Sequence, residues 1–162
     1  AYLKMRNVAR DYVWITTPYL VLDSAMQNAL ILAAKSGVDV RIITPAIPDK
    51  KIVFEVTRSN YYVLVENGVR IYEYQPGFIH SKMFVSDDKR AILGTTNMDF
   101  RSFFLHFECA TVFYEGKTIR EVKKDFLRTF ECCEPVPVDY RRRVSKFRRM
   151  FRGIIRAVAP ML

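Results

Sequence analysis

Apolar residues recur along this chain with two periods, and the alternation between them predicts the fold class. Residues 12–17 form a β-branched and aromatic run stopped by Pro18, which predicts a buried strand. Residues 24–35 switch to a helical period, with Asp23 or Ser24 as N-cap and Gly37 beyond the last turn. A second strand is expected over residues 38–44, ended by Pro45, and a second helix over 50–67, closed by Gly68. Residues 69–74 alternate as a third strand, and Pro76-Gly77 ends them. Residues 78–85 and 90–93 then predict a hairpin turned at 86–89, followed by a strand over 105–114 and a helix over 118–130. Leu3, Met5, Val8 and Ala9 read as the end of a further helix over 2–10. Strands alternating with helices of this length predict an α/β fold. The hairpin makes the β-sheet mixed, and helices are expected to flank it on both faces.

The chemistry concentrates in that hairpin. Side chains two apart on a strand share a face, so His80 and Lys82 are expected to project together while Ile79, Met83 and Val85 face the core. An imidazole beside an ammonium is an odd pair to set on a sheet unless an anion sits between them. An imidazole attacks phosphorus as a nucleophile or donates a proton to a departing alkoxide, and the lysine neutralises the non-bridging oxygens. Thr95 and Asn97 follow Gly94 where the strand gives way to a turn, and offer further donors. Asp87 falls in the hairpin turn, where local backbone hydrogen bonds are as good a reading as chemistry. Glu108 shares a strand face with His106 in this reading. Tyr19, Tyr61, Tyr62, Tyr72 and Tyr74 either border a lipid groove or pack.

His80-x-Lys82, Asp87, Gly94-Thr95 and Asn97 keep the spacing His-x-Lys-x4-Asp-x6-Gly-Ser/Thr-x-Asn, which resembles the motif of the phospholipase D superfamily. Thr17-Pro18-Tyr19, residues 37–42, residues 71–80, residues 97–103 and Phe107-Glu108 are similar to bacterial cardiolipin synthases, as is the ending Pro160-Met161-Leu162. The resemblance covers residues 1 to about 135. It implies a phospholipase D-like catalytic half domain and a phosphatidyltransferase that needs no metal and no other cofactor. Its donor would be phosphatidylglycerol, its intermediate a phosphohistidine, and its leaving group glycerol. It also implies catalytic roles for His80, Lys82 and Asp87, phosphate binding by Lys82, Thr95 and Asn97, and orientation of His80 by Glu108. His106, where these enzymes more often carry asparagine, and Arg101 become candidates for the pocket wall. Two motif histidines serve one such site and this chain carries one, so the partner is either a missing N-terminal half or a second copy. A lipid hydrolase or nuclease of the same superfamily, and an inactive half domain that binds anionic membranes, are the rival readings.

Composition adds to this picture mainly through the tail. The 162 residues, 50% hydrophobic and 27% charged, suit one folded domain with a core. No stretch is apolar enough to span a bilayer, no signal peptide is visible, and the start at Ala1 leads us to expect a piece of something longer. Most of the net charge of +9 lies in residues 136–162, which hold eight basic side chains and one acidic. We therefore expect a catalytic half domain over 1–135 and a basic amphipathic helical tail over 136–162. In the tail Arg141, Arg142, Arg143, Lys146, Arg148, Arg149 and Arg152 would meet an anionic membrane surface, while Phe147, Met150, Phe151, Ile154, Ile155 and Val158 interleave with them. A helix folded back on its own domain is the alternative. Tail charge alone suits nucleic acid as well; the lipid-type residues around the motif make nucleic acid the weaker partner. The three cysteines have no metal-type spacing and read as idle thiols in a reducing compartment. The expected location is the cytoplasmic face of a bacterial membrane.

Overall fold

A computed structural model describes residues 9–158, without the side chains beyond Ile155. The helix expected over 2–10 and the Pro160-Met161-Leu162 ending therefore lie almost wholly outside the described residues. The run expected over 12–17 is strand β1 (Tyr12–Thr16), and every residue in it is buried. Its odd and even positions serve two cores, as a strand covered on both faces must. Val13 and Ile15 pack with β3 (Asp39–Pro45), α1 (Ser24–Lys35) and α2 (Lys51–Val65) through Ile42, Leu30 and Leu64. Tyr12 and Trp14 face the other way, toward Ile119, Val122 and Phe126 of α4 (Lys117–Glu131). Helices thus cover both faces of the sheet.

The seven-stranded sheet runs β8-β6-β5-β1-β3-β4-β9. Strands β1, β3 and β4 (Arg70–Tyr74) are parallel and joined through α1 and α2. The hairpin β5 (Met83–Ser86) and β6 (Arg90–Gly94) pairs antiparallel to β1, and β8 (Ala110–Tyr114) extends it. The sheet is mixed, as the hairpin predicted. A separate parallel pair, β2 (Leu20–Val21) with β7 (Met98–Asp99), stands above the parallel strands. Buried polar groups hold it there: Leu20 N donates to Thr57 Oγ1 at 3.1 Å, and Asn60 Nδ2 to the Leu20 carbonyl at 2.9 Å.

Two departures from the sequence reading share one cause: a strand extends only as far as its neighbour. Residues 78–82 lie outside the ladder, because β1 ends opposite Met83 and Pro18 follows. The expected strand over 105–114 begins only at Ala110, the partner of Gly94 where β6 ends. Before it, Asp99 caps an unexpected short helix α3 (Phe100–Phe104) by accepting the Ser102 N–H at 2.7 Å. A third departure is β9 (Cys133–Pro135), an edge strand on β4 whose proline sits at its end, where a missing donor costs least.

Gly94 has a reason to be glycine. A Cβ there would lie 2.3 Å from the Cys109 carbonyl oxygen and 2.6 Å from Ala110 Cα, both backbone atoms that cannot rotate away. We expect Gly94→Ala to destabilise the fold by about 3 kcal/mol, read as a fall in urea midpoint at unchanged slope.

After β9 the chain returns across the sheet edge, with Val136 N donating to the Ile71 carbonyl at 2.8 Å. The tail forms α5 (Tyr140–Arg143) and α6 (Lys146–Val158). Helix α6 lies on α2, where Arg152 Nε reaches Glu55 Oε2 at 2.7 Å.

Candidate active site

Two chain ends meet where the parallel strands stop: the entry to β5, carrying His80 and Lys82, and the exit from β6, carrying Thr95 and Asn97. Thr16 holds the entry in place. Its Oγ1 accepts the Met83 N–H at 3.0 Å and the Ser81 hydroxyl at 3.1 Å. On the other side the Gly94 N–H donates to the Lys82 carbonyl at 3.3 Å. Residues 80–82 are thereby fixed without being ladder residues.

The His80 imidazole is exposed, and its ring lies 5.5 Å from that of Phe78, which in turn lies 6.2 Å from Tyr19. Lys82 Nζ reaches back to the His80 carbonyl at 2.7 Å, which keeps the ammonium near enough for its charge to act on the imidazole. Partial desolvation and then the Lys82 charge hold His80 below its usual value of 6.5, against a weaker upward pull from Asp49. Such an imidazole is neutral at pH 7, the form that attacks or takes a proton. Burial also lowers Lys82, partly offset by the charges of Glu108 and Asp99. In an NMR titration of His80, Lys82→Met should raise the midpoint, since a repelling cation is lost. Asp49→Asn should lower it, since an attracting anion is lost. A midpoint fixed in both variants would mean that neither group faces the ring.

Thr95 accepts the Cys109 N–H at 3.0 Å and donates in a short bond to Glu108. Asn97 Nδ2 lies 3.3 Å from Ser102 Oγ, and its Oδ1 is buried without a hydrogen-bond partner among the described residues. Unsatisfied atoms of this kind are rare enough to call for a local explanation. Arg101 and His106 border an adjoining cavity of about 280 Å³. Among the described residues no group of three His, Cys, Asp or Glu side chains converges as metal ligands would.

Three expectations look different against this geometry. For Asp87, left open between local backbone bonds and chemistry, the structure shows backbone bonds. It lies past the far end of β5, seven residues on from His80, on the order of 20 Å away at the rise of a strand. Its carboxylate accepts the N–H groups of Arg10, Asp11 and Tyr12 at 2.9, 3.0 and 2.9 Å, so its visible work is to clamp the start of β1 to the hairpin. Glu108, expected on a strand and against His80, lies in a loop instead. Its partner is Thr95, its Oε1 is 3.9 Å from His106 Nδ1, and its charge acts on Lys82. The carboxylate felt by His80 is Asp49, which the sequence reading passed over; it also accepts the Tyr19 hydroxyl. Its one local signal was the Pro-Asp pair just before α2.

The third expectation concerns the tail. Arg152, expected to meet a membrane, is 1% exposed and bound to Glu55 and to the Tyr140 hydroxyl. A charge so placed is paired within the protein because leaving it bare would cost several kcal/mol, on the order of 3–5. Arg148 also leans on Glu55 at 3.7 Å, Arg141 lies 3.8 Å from Glu66, and Arg143 bonds Asp139 at 2.9 Å. Arg142 and Lys146 are exposed and Arg149 is half-buried. The apolar residues Phe147, Met150, Phe151 and Ile154 are the exposed stripe of α6. No helix among the described residues is long and apolar enough to cross a membrane.

Comparison with known proteins identifies the family. The model of the family described as cardiolipin synthase, phospholipase D-like domain, matches residues 2–130. A cardiolipin synthase of Geobacillus thermodenitrificans is 41% identical over 162 residues, covering 99% of this chain and 32% of that protein. The chain spans about a third of the length of the curated relatives it matches. Among solved structures, a phosphatidylserine synthase of Haemophilus influenzae aligns with a TM-score of 0.76 at 16% identity, over 99% of this chain and 44% of that one. The phospholipase D family member Nuc of Salmonella typhimurium aligns with a TM-score of 0.71 at 16% identity, over 82% and 86%. At those identities the structures share the fold, and it is the sequence relatives and the family model that decide membership. This chain belongs to the cardiolipin synthase family with the phospholipase D-like domain.

Proposed function

We propose that this chain is one catalytic half of a phosphatidyltransferase that joins two phosphatidylglycerol molecules into cardiolipin and releases glycerol. The observation that carries the reading is the exposed, neutral-leaning imidazole of His80 beside the Lys82 ammonium, at the end of a sheet. One motif imidazole attacks phosphorus, so that a P–N bond forms as the P–O bond to glycerol breaks. A second imidazole gives its proton to the departing oxygen. It then takes the proton of the acceptor hydroxyl, whose oxygen bonds phosphorus as the P–N bond breaks. Lys82, Thr95 and Asn97 stabilise the charge on the non-bridging oxygens. No metal or nucleotide enters this scheme.

His80 fills one imidazole role. His106 lacks a lysine two residues on, so the second imidazole comes from another His-x-Lys motif, on the remainder of a longer protein or on a second copy. We place the working protein on the cytoplasmic face of a bacterial membrane. The exposed stripe of α6, at positions i, i+3, i+4 and i+7, supports contact there, with Arg142 and Lys146 beside it.

The test is to give the intact protein phosphatidylglycerol vesicles and, separately, plasmid. Cardiolipin with free glycerol, and no nicking, is the expected result. Phosphatidic acid alone would make it a hydrolase, nicked plasmid a nuclease, and vesicle binding without turnover a membrane-binding module.

A further inference from the structure

Apart from Asn97, the residues lining the cavity beside the motif have no part in the transfer scheme above, yet three elements combine to build it. The start of α2 supplies Lys50, Val53 and Val56, the pair β2–β7 supplies Asp99, and α3 supplies Phe100. We propose that this cavity seats the polyol head of the acceptor lipid, a glycerol-like group with neighbouring hydroxyls. The inference rests on the phosphatidyl-transfer reading and names the acceptor side of that same site.

Position comes first. Asn97 of the motif lines the cavity, and so does Tyr19, whose ring connects through Phe78 to the ring of His80. Asp99 lies close enough for its charge to act on Lys82. A group held here therefore lies next to the phosphate that His80 and Lys82 would hold.

Size comes second. At about 280 Å³ the cavity falls at the small end of ligand sites, whose volumes run from roughly 300 to 1,000 Å³. A small head group suits it, and a pair of acyl tails does not.

Chemistry comes third. Lys50 and Arg101 bring positive charge to the lining, and Asp99 sets a carboxylate among them. One of its oxygens takes the Ser102 N–H at 2.7 Å, and a carboxylate keeps acceptor capacity beyond one bond. Lys50 and Arg101 donate. A group that gives and takes hydrogen bonds from adjacent carbons matches such a set, and the valines with Phe100 cover its C–H faces.

In the test, the intact protein acts on vesicles of phosphatidylglycerol in phosphatidylcholine, and cardiolipin and phosphatidic acid are measured together. Val53→Phe fills the cavity and should lower the ratio of cardiolipin to phosphatidic acid about tenfold, because water takes the phosphatidyl group when the polyol cannot enter. Asp99→Asn keeps a competent cap on α3, so the fold is retained. It should lower the same ratio and raise the glycerol concentration needed for half-maximal return of cardiolipin to phosphatidylglycerol. Ratios within about twofold of wild type for both variants, with unchanged melting curves, would overturn the cavity assignment and leave phosphatidyl transfer standing. A wild-type protein that forms neither product overturns the transfer reading and this inference together.

Discussion

Replacing His80 with alanine in the intact protein should lower turnover of phosphatidylglycerol by about four orders of magnitude or more, with folding and vesicle binding at wild-type levels. The separation of effects follows from where the residue sits. Its ring is exposed and belongs to no core cluster, so truncation leaves no cavity and strands no buried partner. Phe78 loses one ring contact and little else. Turnover has no such reserve, because the other histidine, His106, lacks a lysine two residues on. The measurement is release of labelled glycerol, run beside a melting curve and vesicle sedimentation. Turnover close to wild type would remove His80 from the chemistry. A matching loss of melting temperature would recast it as structural. Lys82→Ala should also weaken phosphate engagement, raising KM as well as lowering kcat.

The largest effect on stability is expected at Glu55. Its carboxylate meets Arg152, which is 1% exposed, at 2.7 Å, and Arg148 at 3.7 Å. Glu55→Ala would leave the Arg152 guanidinium buried with only the Tyr140 hydroxyl, 3.1 Å away, and the Tyr140 ring beneath it at 5.8 Å. Removing one partner of a buried pair costs about 3 kcal/mol or more, whereas replacing both by apolar groups of similar volume is close to neutral. We therefore expect a melting temperature roughly 10 °C lower for Glu55→Ala. The double variant Glu55→Leu with Arg152→Met should regain most of that loss. Arg142→Gln, on an exposed neighbour, should change little. A negligible shift for Glu55→Ala would mean that α6 contributes nothing by lying on α2.

These expectations show which parts of the molecule local sequence could reveal. Strands β1, β3 and β4 and helices α1, α2 and α4 follow from periods and stop residues within a few positions of one another. Their bounds were readable to within a residue or two. The strand ends around 78–82 and 105–109 were not, because they depend on where β1 and β6 stop, tens of residues away. The same limit governed the site. His80, Lys82, Thr95 and Asn97 were visible as a spacing. Asp49 was not, since its approach to His80 depends on β3 ending at the same edge of the sheet where β5 begins. Arg152 was hidden for the opposite reason. In a run of basic residues nothing local marks the one whose counter-ion waits on a helix 97 positions earlier.

The carboxylate of Asp87 holds three successive amides at the bottom of the hairpin, so one motif joins two mechanical ends of a single lever. Substitution at the lower end would let the whole lever shift, and His80 and Lys82 would lose alignment without either being altered. An activity screen that tracked product alone would count Asp87 among the reagents; only a companion measurement of rigidity, such as amide exchange at residues 10–12, tells a fulcrum from a participant.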